Sequence, residues 1–194
     1  SLQDRIFEKL LSVIKNIDLI VFSDFNYGCL PQSLVNKITD LASDNGIKIV
    51  ADSQSSSQIG DISRFNGMDM ITPTEREARV STRNHEDGLV VMCEKLKRLS
   101  NAKHILLKLG SEGLLVHTEA SGQEEWTTDR ICALNTSPKD VSGAGDSLFI
   151  VSALLLVLGG SIWDMAYIGS IAAAIQVGRV GNTPITSEEI LQKL

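Results

Sequence analysis

The stretch that decides the fold is DLIVFSDFNYG, residues 18–28, in which a short apolar run passes directly into a loop of turn-forming residues. A helix is predicted from Pro31, and Gly46 is expected to end it. Residues 47–51 then repeat the apolar pattern. Continuous apolar runs of this length are typical of buried parallel strands, and the helix between them predicts a right-handed strand–helix–strand crossover.

The alternation of apolar runs and helical patterns continues along the rest of the chain. The later elements are predicted as strands at 68–71, 104–109 and 114–117, two short strand-like segments near 124–128 and 130–134, and helices near 74–82, 86–99, 143–158, 161–178 and from Ser187. This order predicts an α/β fold, a mainly parallel sheet flanked by helices on both faces. In such sheets, ligands bind beyond the carboxyl ends of the strands.

Composition limits the class of protein. The chain has 194 residues, of which 43% are hydrophobic, so one domain with one packed core is expected. The formal net charge of −6 disfavours a nucleic acid or an anionic membrane as partner. Three scattered cysteines without a CxxC motif, and no basic-then-apolar leader, favour a cytoplasmic location. The apolar run at 148–158 is too short to span a bilayer and predicts a buried helix.

The segment KDVSGAGDS, residues 139–147, carries the strongest chemical signal. Gly143, Ala144 and Gly145 precede an apolar helix, and their small side chains let the backbone N–H groups approach an anion closely. The positive end of the helix dipole favours a phosphate there and an ionised Asp146 beside it. A carboxylate held next to an anion hole is suited to take a proton from an attacking hydroxyl, which indicates a kinase site.

A structural interpretation of the same segment competes with this one. Ser142 is a possible N-cap of the helix, with the glycines present only for tight packing. Two better-known phosphate motifs are excluded, because neither GxxxxGK[ST] nor GxGxxG is completed here. A P-loop ATPase and a dinucleotide-dependent dehydrogenase are therefore disfavoured.

The heptad DVSGAGD resembles the C-terminal signature of the ribokinase/PfkB carbohydrate kinases, usually D-T-x-G-A-G-D. The resemblance extends over nearly the whole chain, through SDFNYG, ADS, ITPTERE, LKLGSEGLLV and VGRVGNTPIT. In order and spacing, these segments are most similar to the heptose-7-phosphate kinase domain of the ADP-heptose synthases. The resemblance implies a ribokinase-like fold and transfer of the γ-phosphoryl group of ATP to a sugar hydroxyl, with a heptose phosphate as one candidate acceptor.

The resemblance also implies roles for individual residues. Asp146 corresponds to the catalytic base, and the amides of Gly143, Ala144 and Gly145 to the anion hole. Glu77 corresponds to the glutamate that helps to hold Mg²⁺, although a solvated helix face is an alternative for it. The remaining implied residues are Lys108, Gly110, Gly113 and Asn182 for nucleotide binding, and Asp140 and Ser142 for a monovalent cation.

Three positions depart from the pattern of the similar kinases. Thr74 stands where the family has the asparagine of its Asn-x-x-Glu element. The loop at 24–28 lacks the lysine of Asp-Tyr-x-Lys-Gly, and residues 52–54 read Asp-Ser-Gln instead of Asp-Pro-Lys. Two cations expected near phosphate groups are thus replaced, which argues against a phosphorylated sugar as the acceptor.

The resemblance finally implies how the chain is organised. Residues 1–194 are expected to be a single ribokinase-like domain lacking the N-terminal strands and the lid, that is, the C-terminal, nucleotide-binding portion and a fragment of a longer kinase. We expect a nucleotide and a small sugar as partners, and a homodimer as the assembly. Two alternatives stay open: a catalytically silent nucleotide-binding module, and a kinase of another small alcohol such as a nucleoside. With part of the sugar pocket missing, the isolated chain is expected to be inactive.

Overall fold

One six-stranded sheet organises the molecule in the computed structural model, which describes residues 2–54, 60–119 and 126–194. Its strands are β1 Leu19–Asp24, β2 Lys48–Ser53, β3 Met70–Ile71, β4 His104–Lys108, β5 Leu114–Glu119 and β6 Trp126–Ile131. They lie in the sheet in chain order. The first four are parallel, and β5 and β6 are antiparallel to their neighbours. The predicted α/β fold with a mainly parallel sheet is confirmed.

Helices cover both faces of this sheet, as the sequence predicts. They are α1 Leu2–Val13, α2 Gln32–Asp44, α3 Glu75–Thr82, α4 Leu89–Ser100, α5 Ala144–Val157, α6 Ile162–Val177 and α7 Ser187–Leu191. Because the parallel strands follow one another in a single direction, right-handed crossovers place all their connecting helices on one face. One apolar cluster accordingly contains Leu34 of α2 and Met92 of α4. A second cluster contains Phe149 of α5 and Met165 of α6 and fills the other face.

The alternation of side chains along the strands determines which polar groups reach the α5–α6 face. In β4, Ile105 and Leu107 belong to the first cluster and Leu106 to the second. Lys108, the last residue of β4, is therefore directed to the α5–α6 face. The same alternation in β2 places Val50 in the second cluster and directs Asp52 to that face.

Helices α5 and α6 approach each other closely because their contact is built from small residues. A Cβ atom added at Gly169 of α6 would lie 2.3 Å from the Ser152 hydroxyl of α5. That hydroxyl donates a hydrogen bond of 2.8 Å to the carbonyl oxygen of Met165. The close packing fixes α5, whose first turn begins at the carboxyl edge of the sheet.

One local prediction was wrong. The segments near 124–128 and 130–134 are a single strand, β6, in the part that the structure describes; residues 120–125 lie outside it. The β4–β5 connection is a 3₁₀ turn at Gly110–Glu112. Both Gly110 and Gly113 have positive φ angles there, +60° and +97°. Among the described residues, no helix has the length and apolar character needed to cross a membrane.

Candidate active site

The first turn of α5 opens onto the carboxyl edge of the sheet without a side-chain cap. Its N-cap residue is Gly143, at φ +76°, and among the residues that the structure describes no side chain caps the first-turn amides. The structural alternative with Ser142 as the N-cap is therefore wrong. First-turn amides have no partner inside a helix, although that of Ala144 donates a long bond of 3.3 Å to the Val141 carbonyl oxygen. The remaining amides, with the helix dipole, form a positive helix end suited to an anion.

A cavity of about 730 Å³ lies in front of this helix end. It occurs where ligands bind in parallel α/β sheets, beyond the carboxyl ends of β2, β3 and β4. The structure brings eight of the predicted site residues together in its wall: Glu77, Lys108, Gly110, Gly113, Gly143, Ala144, Gly145 and Asp146.

Lys108 is held beside the helix end by an ion pair. Its Nζ atom lies 2.9 Å from Oδ1 of Asp52, which also accepts a hydrogen bond of 2.9 Å from the Thr72 hydroxyl. Burial raises the pKa of Asp52, against the opposing effect of the ammonium group. A Cβ atom added at Gly145 would lie 3.4 Å from the same Nζ atom. The cation thus lies close to Gly145 in the predicted anion hole.

Glu77 is a buried residue that caps its own helix. Its Oε2 atom accepts a hydrogen bond of 2.7 Å from the Thr74 amide, and the Thr74 hydroxyl accepts one of 3.3 Å from the Glu77 amide. This reciprocal capping box fixes the carboxylate in the cavity wall. The alternative of a solvated helix face is wrong, because only 7% of Glu77 is exposed.

The cavity wall opposite the sheet is apolar and built from small side chains. It is formed by the segment after β6 and by α6, through Ala133, Leu134, Ala173, Ala174 and Val177. Gly110 and Ser111 of the turn after β4 also line the cavity, next to Gly113. Gly113 fits there only without a side chain, since a Cβ atom would lie 2.0 Å from the Ile131 carbonyl oxygen. Apolar walls of this kind suit a heteroaromatic base.

Three predicted residues lie beside the cavity wall and brace the segment that leads into α5. Asp140 accepts hydrogen bonds from the amides of Ser142 and Gly181, at 2.9 and 3.0 Å. These bonds lower the pKa of Asp140. Asn182 packs on the helix start, where its Oδ1 atom would lie 2.3 Å from a Cβ atom on Gly143. Their roles in binding a cation or a nucleotide stay predictions.

Sequence reasoning missed two glutamines that organise this site. Gln54, which follows β2, donates a hydrogen bond of 3.0 Å from Nε2 to Oδ1 of Asp146. Gln176 of α6 is buried and donates from Nε2 to the carbonyl oxygens of Ser142 and Gly181, at 3.2 and 3.0 Å. Gln54 stands where the similar kinases have the lysine of Asp-Pro-Lys, so the sequence marked its position but not its contact with Asp146. Gln176 belongs to no motif that the sequence analysis identified.

The sheet, the uncapped start of α5 and the adjacent carboxylate define the class of protein: an α/β protein with a helix end suited to an anion at the carboxyl edge of its sheet. The chain belongs to the pfkB family of carbohydrate kinases, whose sequence profile matches residues 2–189. The resemblance noted from the sequence is thereby confirmed.

Curated relatives carry the name bifunctional protein HldE. The protein from Sulfurimonas denitrificans is 28% identical over 191 residues, which are 95% of this chain and 37% of that protein. The protein from Desulfatibacillum aliphaticivorans is 29% identical over 184 residues, 93% of this chain and 36% of that protein. The chain thus spans little more than a third of the length of these relatives.

Solved structures show the same ribokinase-like fold at low identity. Phosphofructokinase-2 from Escherichia coli in complex with potassium superposes with a TM-score of 0.80 and 15% identity, covering 98% of this chain and 60% of that one. Ribokinase from Arabidopsis thaliana complexed with ribose and ATP gives a TM-score of 0.75 and 18% identity, covering 95% and 58%.

Proposed function

We propose that this protein is an ATP-dependent kinase that transfers the γ-phosphoryl group of ATP to a hydroxyl group of a sugar. Asp146, the uncapped first turn of α5 and Lys108 all line the same cavity, and this observation carries the proposal. A general base, a row of amides and a cation are the groups that phosphoryl transfer to an alcohol needs. Membership of the pfkB family supports the same reaction class.

The proposed chemistry follows from the position of each group. Asp146 accepts the proton of the acceptor hydroxyl while that oxygen forms its bond to the γ-phosphorus. The bond from this phosphorus to the bridging oxygen breaks, and ADP leaves with the electron pair. The amides at Gly143–Gly145 and the ammonium group of Lys108 stabilise the negative charge on the transferring group. Asp146 then holds the proton, and solvent removes it after product release.

The residues present fit a magnesium ion bound together with the nucleotide. Mg²⁺ in proteins usually keeps several waters and takes one or two carboxylates in addition to substrate phosphates. The described residues contain no group of three acidic, histidine or cysteine ligands, and the carboxylates that line the cavity beside Asp146 are Asp52, which is paired with Lys108, and Glu77. Glu77 would hold the ion through its waters, with Thr74 beside it. The bound ion would neutralise charge on the phosphates.

The nucleotide would lie along the apolar wall. We propose that the turn at Gly110–Glu112 and Gly113 contacts the nucleotide and that Asn182 flanks its base. A monovalent cation at Asp140 and Ser142 is a further proposal, supported by the ionised state that the hydrogen bonds of Asp140 favour. Asp140 and Ser142 lie beside the cavity wall and not in it.

We also propose that residues 1–194 are the C-terminal, nucleotide-binding portion of one kinase domain. The partial coverage of the structural neighbours, 60% and 58%, supports this organisation. A catalytically silent nucleotide-binding role of the isolated chain follows from it, with activity expected for the complete protein. To identify the acceptor, heptose phosphates, unphosphorylated sugars and nucleosides would each be tested as substrates, with ADP release as the measurement.

The test of the proposed function is Asp146→Asn in the complete protein. We expect turnover to fall by about 10²- to 10⁴-fold, because the general base is removed, while binding of Mg·ATP is retained. Thermal shift with Mg·ATP measures binding, and ADP release measures turnover. The exposed carboxylate of Asp40 on α2 provides a matched control, Asp40→Asn. Equal turnover of the two variants would remove Asp146 as the base.

A further inference from the structure

The contact between Gln54 and Asp146 joins two segments that are 92 residues apart in the sequence. Nε2 of Gln54 donates to Oδ1 of Asp146 at 3.0 Å, and both residues line the cavity. We infer that Gln54 is a positioning residue, which fixes the orientation of the Asp146 carboxylate for proton transfer. This inference rests on the proposed function.

The backbone of Gln54 is anchored on both sides. Its amide donates a hydrogen bond of 2.8 Å to the Asp24 carbonyl oxygen at the end of β1. Its carbonyl oxygen accepts one of 2.7 Å from Nδ2 of Asn26. The same Nδ2 atom donates to the Ser53 hydroxyl at 3.1 Å. With the main chain fixed, only the side-chain rotations of Gln54 remain to determine where its amide group points.

Asn26 itself is held in an unusual conformation. Its φ angle is +60°, in the left-handed region that few residues other than glycine adopt. Its amide donates to Oδ1 of Asp24 at 3.0 Å, while Oδ2 of Asp24 forms an ion pair of 2.6 Å with Arg64. Asp24 is buried, so this pair is shielded from solvent. The loop after β1 is therefore a rigid support for Gln54.

The hydrogen bond from Gln54 gives the two oxygens of the Asp146 carboxylate different roles. Oδ1 is engaged by Gln54, so Oδ2 is the oxygen presented to the acceptor hydroxyl. A carboxamide donates a hydrogen bond but does not ionise at neutral pH, so it orients the base without competing for the proton. Other charged groups in the cavity wall are Asp52, Glu77 and Lys108. A residue that acts only through Asp146 should change kcat and leave nucleotide binding unaltered.

The test compares two replacements of similar size in the complete protein. Gln54→Met keeps the length of the side chain and removes the donor, and we expect kcat to fall about 10- to 100-fold, as for the loss of a hydrogen bond to a charged group. Gln54→Glu should lower kcat further at neutral pH, because a second carboxylate repels Asp146. The KM for ATP and the thermal stability should stay unchanged. Gln192→Leu, at an exposed glutamine after α7, is the control.

A supporting variant tests the anchoring loop. Asn26→Gly tolerates the positive φ angle but removes the side chain that holds Gln54. We expect a smaller fall in kcat, and the double variant with Gln54→Met should be no worse than Gln54→Met alone, since both changes act through one contact.

The outcomes separate this inference from the proposed function. If Asp146→Asn is inactive and Gln54→Met keeps the wild-type kcat, the positioning role is overturned and the proposed function is supported. A fall in kcat for Gln54→Met accompanied by a raised KM for ATP and a lowered Tm would show a merely structural role, and would overturn it too. Wild-type turnover in Asp146→Asn would remove both proposals.

Discussion

Replacement of Gly143 by alanine tests whether the start of α5 is a geometrically constrained site. Gly143 is at φ +76°, where an L-residue pays a conformational penalty of about 1–2 kcal/mol. The added Cβ atom would lie 2.3 Å from Oδ1 and 2.8 Å from Cγ of Asn182, so the Asn182 side chain must also move. We expect the free energy of unfolding to fall by about 2–3 kcal/mol, within the range of single substitutions that introduce strain.

The two contributions can be separated within this chain. Gly46 also has a positive φ angle, +68°, but a Cβ atom added there would have nothing within 4 Å. Gly46→Ala therefore measures the conformational penalty alone, about 1 kcal/mol. A cycle of Gly143→Ala and Asn182→Ala measures the steric part, for which we expect a coupling of about 1 kcal/mol.

Urea denaturation followed by circular dichroism gives the free energies, and thermal shift with Mg·ATP gives binding. We expect Gly143→Ala to lose the stabilisation by Mg·ATP, because the new methyl group displaces the segment that presents the amides. A loss of stability no larger than that of Gly46→Ala, with no coupling to Asn182, would refute the steric reasoning. Unchanged binding of Mg·ATP would refute the role of this helix start as the anion hole.

Two further predictions concern buried titratable groups. Burial lowers the pKa of His117 to about 4 from 6.5, so the neutral form is favoured in the folded chain. The free energy of unfolding should therefore fall by about 3 kcal/mol at most as the pH drops from about 6.5 towards 4. Urea denaturation at several pH values measures this dependence, and His117→Gln should flatten it. Lys108→Met leaves the Asp52 carboxylate buried without its cation, and should cost about 3–5 kcal/mol at pH 7. The double variant with Asp52→Asn should recover most of that loss, and no recovery would count against the ion pair.

Much of the fold was predictable because its strands are short apolar runs that end in polar loops. Residues 18–22 and 47–51 were placed as strands, and the structure has strands at Leu19–Asp24 and Lys48–Ser53. The strands continue further into polar residues than hydrophobicity alone predicts, because Asp52 and Ser53 are still paired with β1. Backbone pairing does not require an apolar side chain, so the pattern located the strands and underestimated their ends.

The glycine-rich start of α5 was predictable as part of the site, because its chemistry is local in the sequence. The residues that hold it were not predictable in the same way. Gln176 contacts the carbonyl oxygen of Ser142 from 34 residues away, and Gln54 contacts Asp146 from 92 residues away. Glutamine has no spacing rule that marks such a role, and only the folded chain brings the partners together.

The ion pair of Lys108 and Asp52 shows why a buried carboxylate belongs in a site proposed for a phosphate. A lysine side chain is long and flexible, and an isolated ammonium group facing an open cavity would be spread over many rotamers. Asp52 holds it from the strand side at 2.9 Å, and the Thr72 hydroxyl fixes the carboxylate in turn. The ammonium group then stays close to Gly145, where the proposed phosphoryl group would be bound. The Asp52 carboxylate places one more negative charge near the phosphoryl group, which has an electrostatic cost. It also holds the Lys108 ammonium group in position, and a charge that is already in position needs no reorganisation during phosphoryl transfer. This preorganisation of Lys108 offsets the cost.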